Sequence, residues 1–323
     1  MDKGDIMENN RTQVEMTAKR VLDQVRAVVV GKDHVLLWVL AAILAKGHIL
    51  LEDIPGVGKT TMAVAFSKSL GLQHNRVQFT PDVLPSDITG YSVINQQTGQ
   101  MVYQNGAVLC NLFLADELNR ATSRTQSALL EAMEEGQVTV DGVSHVLPKP
   151  FIVIATQNPT GAAGTQLLPD SQLDRFMIRL SLGYPDAADE INMVMNRQGV
   201  DPLKALQPVL YPREVEAMQE LVAATFISED VVKYVVSLMN ATRDNELLLR
   251  GASPRATLAV IAMSKAVAQL RGRDYVIPRD VMEVFLHVVT HRIQLSPKAE
   301  GQGLSEQQVL QEILKKVAAP KVR

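Results

Sequence analysis

The sequence predicts an α/β fold in which a five-stranded parallel sheet is covered by helices and followed by a small all-helical domain. Up to residue 182, short apolar runs alternate with helical patterns, as in sheets buried on both faces. Beyond residue 183, every periodic segment has the spacing of an amphipathic helix. We therefore predict a flexible tail at 1–11, a core at 12–182, a linker at 183–204 and a helical domain at 205–323.

Each element follows from its local pattern. The predicted strands are 48–51, 76–79, 109–115, 151–156 and 176–182. Helices are predicted at 12–30, 33–45, 59–70 and 123–133 in the core, and at 212–224, 228–242, 253–270, 278–291 and 305–317 in the C-terminal domain. Two further segments, 91–103 and 137–147, alternate like β-hairpins, and Asp141-Gly142 is a typical hairpin turn.

Composition excludes several classes of protein. A net charge of −3 with 21% charged residues is not typical of a dedicated nucleic-acid or membrane-surface binder. The polar N-terminus does not resemble a secretory signal, and no apolar run approaches the roughly 20 residues of a transmembrane helix. Cys110 is the single cysteine, so no disulfide within the chain is possible, and we expect a cytoplasmic location.

A glycine-rich turn between the first strand and its helix has the pattern of a phosphate-binding loop. Gly56 and Gly58 allow positive φ, so successive backbone N–H groups can converge on phosphate oxygens. Lys59 can reach the β- and γ-phosphates of a nucleotide, and the Thr60 hydroxyl can bind Mg²⁺. Asp53 stands where the usual pattern begins with glycine. The predicted nucleotide-binding residues are Pro55, Gly56, Val57, Gly58, Lys59, Thr60 and Thr61.

The third strand ends in two acids, Asp116 and Glu117. Because ligands of open α/β sheets bind at the carboxyl ends of the strands, both carboxylates are expected beside the phosphate-binding loop. We predict that Asp116 holds Mg²⁺ through its water shell and that Glu117 activates the attacking water. Taken alone, the same pattern could be an ordinary strand followed by an acidic turn.

Six motifs in order resemble those of the MoxR-type AAA+ ATPases, from about Val30 to the C-terminus. They are LEDIPGVGKTT, LFLADELNRA, VTVDGVSH, IATQNP, LPDSQLDRF and GASPRA. The resemblance implies a nucleotide-binding core with two inserted hairpins, a small helical lid and assembly into hexameric rings. It also implies ATP and Mg²⁺ as cofactors.

The resemblance also implies roles for four residues outside the loop. Asn158 would be the first sensor, which touches the γ-phosphate or its water, and Arg255 would be the second sensor. Arg175 would be an arginine finger presented to the neighbouring subunit, and Gly31 would lie near the adenine. Arginine suits these roles because phosphoryl transfer needs positive charge on the equatorial oxygens. From the residues alone, Arg175 could instead pair with Asp174, and Arg255 could be a solvated residue at a helix start.

Two classes of function remain open. The first is an ATP-driven motor that remodels or matures a protein, and the resemblance implies partners with a von Willebrand factor A domain and roles that include metal insertion. The second is a nucleic-acid motor. The hairpin tips Gln96–Gly99 and Asp141–Ser144 contain no Lys or Arg for phosphate contacts, which favours the first class. A non-catalytic nucleotide switch is a third option, against which Glu117 argues.

His287 and His291 have the i, i+4 spacing of a zinc site. Val288 follows the first histidine, where a metallopeptidase needs a glutamate as base. We therefore expect both histidines to have packing roles.

Overall fold

A computed structural model describes residues 3–53, 56–158, 168–196 and 201–321. Its strands are β1 Ile49–Glu52, β2 His74–Gln78, β3 Gly90–Ile94, β4 Met101–Asn105, β5 Leu112–Asp116, β6 Gln137–Val140, β7 Val143–Val146, β8 Ile152–Gln157, β9 Ile178–Leu180, β10 Leu248–Arg250 and β11 Gln294–Leu295. The core helices are α1 Lys3–Arg26, α2 Asp33–Leu44, α3 Lys59–Ser69, α4 Pro85–Thr89, α5 Ser123–Glu135 and α6 Asp170–Leu173. They are followed by α7 Ala187–Asn196, α8 Pro202–Ala205, α9 Pro212–Ala223, α10 Glu229–Arg243, α11 Pro254–Leu270, α12 Pro278–Val289, α13 Pro297–Gly301 and α14 Glu306–Lys316.

The predicted five-stranded parallel sheet is confirmed, with strand order β2-β5-β8-β1-β9. Its central strands are buried on both faces because alternate side chains enter two separate cores. In β1, Leu51 packs into the core that contains α1, α2, α3 and the C-terminal helices, whereas Leu50 packs into the core beneath α5. The sheet therefore brings the carboxyl ends of β1, β5 and β8 to one edge.

Both predicted hairpins are present, as β3–β4 and β6–β7. They are joined by an aromatic contact: the rings of Tyr103 and His145 stack with centroids 3.7 Å apart and an interplanar angle of 11°. The Tyr103 hydroxyl also donates to the Thr89 carbonyl at the base of the first hairpin. The two insertions thus form one β-rich projection from the core.

Several boundaries differ from the prediction. Residues 3–11 were predicted to be a loose tail, but they belong to α1, which begins at Lys3. Extending an existing helix adds one hydrogen bond per residue at little nucleation cost, and this polar segment contains no proline. The predicted linker 183–204 contains helix α7 and begins helix α8, and the C-terminal helices are joined by a two-stranded sheet, β10–β11. The domain boundaries themselves stay a prediction.

His287 and His291 both have packing partners. Helix α12 ends at Val289, so the two residues do not share a continuous helix. The Nε2 of buried His291 lies 2.9 Å from the Phe176 carbonyl oxygen. The rings of His287 and Trp38 pack with their centroids 4.8 Å apart, and burial lowers the pKa of His287 to about 4.

Among the described residues, none of the helices combines the length and the apolar character needed to cross a bilayer. The thiol of Cys110 is free and buried, and burial raises its pKa to about 12.

Candidate active site

The turn that precedes α3 has the backbone of a phosphate cradle. Gly56 and Gly58 have φ values of 88° and 95°, in the left-handed region that glycine adopts without strain. Helix α3 begins at Lys59, so the partial positive charge of its N-terminus points at the turn. Lys59 is 7% exposed and donates to the Asp53 carbonyl at 2.6 Å. Burial lowers the pKa of Lys59. Pro55, another predicted contact, lies outside the described residues.

Asp116, at the end of β5, is held on both carboxylate oxygens. Oδ1 accepts from the Thr156 hydroxyl at 2.6 Å, and Oδ2 accepts from Arg76 at 2.7 Å. The Thr60 hydroxyl lies 3.5 Å from the same Oδ2. A threonine hydroxyl facing a buried carboxylate is the donor set that a partly hydrated Mg²⁺ prefers, so these residues fit the ion that the sequence predicts.

Glu117 follows with a strained backbone. Its φ of 56° and ψ of 45° are left-handed for a residue other than glycine, a conformation that clusters at functional sites. The Glu117 amide donates to the Thr156 hydroxyl at 2.9 Å, which holds the turn in place. The carboxylate accepts from Arg120 at 2.7 Å and from the Asn158 amide at 3.3 Å. The hydrogen bond from Arg120 is the main cause of a lowered pKa of Glu117, and the hydrogen bond from Asn158 adds to it. The group is therefore a carboxylate at neutral pH.

One cavity of about 540 Å³ collects most of the predicted residues, a volume in the usual range for small-molecule sites. Its lining includes Gly56, Val57, Gly58, Lys59, Thr60, Thr61, Asp116, Glu117 and Asn158. The other lining residues are Val28, Val29, Val30, Lys32, Tyr184, Pro185, Glu190 and Met193. Gly31 lies between two lining residues and packs against Asp189, where an added Cβ would come within 1.7 Å of the carboxylate.

Arg175 and Arg255 lie in a different cavity of about 330 Å³, and no described residue lines both cavities. Arg175 Nε donates to Oε2 of Glu134 at 2.9 Å, and Arg255 donates to Oε1 of the same carboxylate. Asp174, which could have paired with Arg175, instead accepts a hydrogen bond on Oδ1 from Nε of the buried Arg292 at 2.8 Å. Within one chain, therefore, neither arginine lines the cavity of the phosphate-binding loop.

Sequence reasoning missed three residues at the main site: Arg76, Arg120 and Thr156. Strand alternation places Arg76 and Gln78 on the same face of β2. Because β2 runs beside β5 and Gln78 pairs with Asp116, that face brings Arg76 close to Asp116. Thr156 could also have been found, since it lies on β8, two residues before the predicted sensor Asn158. Arg120 lies one turn after Glu117, but no local pattern indicated that it pairs with that carboxylate.

Asp53, the departure from the usual loop pattern, has a structural role. Asp53 is 5% exposed, and its carboxylate accepts from the Ser181 hydroxyl at 2.7 Å, the Leu182 amide at 2.6 Å and the Gly183 amide at 3.0 Å. It thereby joins the start of the phosphate-binding loop to the chain that leaves β9. Tyr184, which lines the nucleotide cavity, follows directly.

We expect Asp53→Ala to lower the free energy of unfolding by about 3 kcal/mol, because the buried Leu182 amide and the partly buried Gly183 amide lose a charged acceptor. Urea denaturation followed by circular dichroism measures this change. Asp82→Ala is the matched control: Asp82 is exposed, and we expect a change of at most about 0.5 kcal/mol. Equal denaturation midpoints for the two variants would show that the Asp53 contacts do not stabilise the fold.

Fold and site together define a P-loop ATPase of the AAA class. Residues 48–178 match the ATPase family associated with various cellular activities (AAA), and residues 240–313 match the AAA lid domain. The chain is 42% identical to protein YeaC of Bacillus subtilis, over 93% of this chain and 94% of the relative. It is 40% identical to the chaperone MoxR1 of Mycobacterium tuberculosis, over 95% of this chain and 83% of the relative.

Among solved structures, a Cytophaga hutchinsonii protein assigned as an ATPase matches with a TM-score of 0.89 and 37% identity, covering 97% of this chain and 98% of its own. The chain therefore belongs to the MoxR family of AAA+ ATPases. The resemblance and the fold class predicted from the sequence are both confirmed.

Proposed function

We propose that this protein hydrolyses ATP with Mg²⁺ and uses the energy to remodel or mature a partner protein, as a chaperone-like motor. The observation that carries the hydrolysis is that Lys59, Thr60, Asp116, Glu117 and Asn158 line a single cavity. The chaperone role is supported by the relative named chaperone MoxR1. A reducing compartment such as the cytoplasm suits the free thiol of Cys110.

The residues divide the chemistry between them. The glycine turn and the start of α3 bind the phosphates, and the Lys59 ammonium balances their charge. Thr60 and Asp116 would hold Mg²⁺, Asp116 through water, and the ion would neutralise charge that develops on the β- and γ-phosphates. Glu117 orients and deprotonates the attacking water, and Asn158, whose side-chain nitrogen lies 3.3 Å from Glu117, would hold that water or the γ-phosphate.

Arg175 and Arg255 would complete the site from a neighbouring subunit. Both side chains are partly exposed, at 31% and 45%, and both lie in a cavity separate from their own phosphate-binding loop. An arginine supplied in trans stabilises charge in the transition state. A head-to-tail assembly that gives every site such an arginine closes into a ring, and we propose a hexamer.

The two hairpins support a protein partner. No Lys or Arg occurs in 90–105 or 137–147. Their exposed side chains include Ile94, Met101, Val143 and Val146, each more than half exposed. Such a surface suits apolar contacts with a polypeptide, and a partner with a von Willebrand factor A domain is the class that the family resemblance implies.

The runner-up, a nucleic-acid motor, predicts a different binding experiment. We expect DNA binding with a Kd no tighter than about 1 µM at physiological salt, since the hairpins offer no cation to phosphates. Fluorescence anisotropy with labelled single- and double-stranded DNA, in the presence of ATP and Mg²⁺, measures it. Binding well below that Kd, together with stimulation of the ATPase by DNA, would favour the nucleic-acid motor over the protein remodeller.

A further inference from the structure

Glu134 connects the two arginines that the proposed function assigns to the neighbouring site. One oxygen of its carboxylate accepts from Nε of Arg175 at 2.9 Å, and the other accepts from an Nη of Arg255. The hydrogen bond from Arg175 is the main cause of a lowered pKa of Glu134, so the group is ionised at neutral pH. Arg175 belongs to the core and Arg255 to the first turn of α11, so one carboxylate bridges the two parts of the chain.

The backbones of both arginines are fixed independently of Glu134. Asp174, beside Arg175, accepts from Arg292 at 2.8 Å and from the Ser253 hydroxyl at 3.1 Å. The same Ser253 hydroxyl accepts from the Ala256 amide and caps α11. Glu134 is therefore not needed to hold the two segments together. Its hydrogen bonds fix the direction of two long, partly exposed side chains.

Glu134 itself has a fixed position. It lies in the last turn of α5, where Nε2 of the partly buried His48 is 3.1 Å from the carbonyl oxygen of Met133. Nδ1 of the same ring accepts from the Val153 amide of β8 at 3.0 Å, so Nε2 is the donor and the helix end is tied to the sheet. Gly136, with φ 63°, then turns the chain into the second hairpin.

The contacts leave both arginines able to bind a second anion. A guanidinium carries five N–H donors, and Glu134 accepts a hydrogen bond from only one nitrogen of each arginine. The remaining donors lie at a partly exposed surface, where a phosphate of a neighbouring subunit could accept them. Holding both guanidinium groups before the phosphate arrives reduces the conformational entropy lost in the transition state.

We propose that Glu134 is a positioning residue that aims Arg175 and Arg255 together at the nucleotide of the neighbouring subunit. This inference rests on the proposed function, because it needs arginines that act in trans. The proposal gives Glu134 a role in the active site of the neighbouring subunit and none in the active site of its own chain.

Glu134→Gln tests the role, because an amide keeps the size but offers N–H groups to one of the two arginines. We expect kcat for ATP to fall about 10- to 100-fold, the scale of a misplaced catalytic group, with little change in KM. Glu135→Gln is the matched control: Glu135 is exposed on the same helix, makes no ion pair with any described residue, and should leave kcat unchanged.

Mixing experiments separate positioning from structural damage. Glu134→Gln subunits keep their own catalytic glutamate, so mixing them with Glu117→Gln subunits should restore activity. Mixing them with Arg175→Ala subunits should not, because neither partner offers a well-placed arginine. Wild-type kcat in Glu134→Gln, a faster enzyme, or failure to recover with Glu117→Gln would each overturn the inference. If Arg175→Ala also fails to recover with Glu117→Gln, then the trans site of the proposed function is wrong as well.

Discussion

The Glu117→Gln protein is expected to bind ATP like the wild type and to hydrolyse it at least about 100-fold more slowly, since a positioned general base contributes that much or more. The amide keeps the size of the side chain and one acceptor oxygen for Arg120 or Asn158, but it cannot accept a proton from water. Lys59→Ala should instead weaken nucleotide binding, because the charge on the phosphates is no longer balanced. Phosphate release under steady-state conditions and binding of a fluorescent ATP analogue measure the two effects separately.

Turnover should also depend on Mg²⁺. Excess EDTA should abolish ATP hydrolysis by the wild type, and added Mg²⁺ should restore it.

Glu131→Gln is a suitable control for Glu117→Gln. Glu131 is exposed on α5, and its substitution removes the same negative charge at a position away from the cavity. Turnover by Glu117→Gln at the wild-type rate would show that another group activates the water. Binding that persists unchanged in Lys59→Ala would contradict the phosphate contact.

Local pattern was sufficient to predict most of the fold. Apolar runs marked β1, β5 and β8, because strands buried on both faces exclude polar residues. The edge strand β2 is mostly polar and is only partly buried. The Asp-Gly pair marked the turn of the second hairpin, where Asp141 and Gly142 both have positive φ. These signals lie within a few residues of each other, so they can be found without knowing the tertiary structure. Strand ends were less certain, as β5 begins at Leu112 and not at 109.

The contacts that the sequence could not predict join residues far apart in the chain. Asp53 accepts hydrogen bonds from residues 181–183, and Glu134 meets Arg255 from 121 positions away. No periodic pattern in the sequence indicates either contact, because both depend on how the strands and helices pack. The capping sequence Ser253-Pro254 did indicate that Arg255 lies in a first helical turn. Only the structure showed that this turn faces Glu134 and not the chain's own phosphate-binding loop.

Arg175→Ala and Glu117→Gln subunits, each nearly inactive alone, are expected to regain activity when they are mixed. An arginine finger contributes about 10³-fold or more to turnover, so its loss alone inactivates a site completed in trans. An Arg175→Ala subunit still has an intact phosphate-binding loop and Glu117. A Glu117→Gln subunit cannot use its own site, but it still offers Arg175 to its neighbour.

The stoichiometry of this recovery follows from the geometry of a ring. With free exchange of equal amounts, about a quarter of head-to-tail interfaces pair an intact site with an intact arginine. ATPase activity should therefore approach a quarter of the wild type and be greatest at equal proportions. Subunit exchange, followed by energy transfer between labelled chains, is the necessary control. If Arg175 acted within its own chain, no ratio would restore activity, because each subunit would lack one catalytic group. A flat profile despite proven exchange would therefore contradict both the trans role of Arg175 and the ring that it requires.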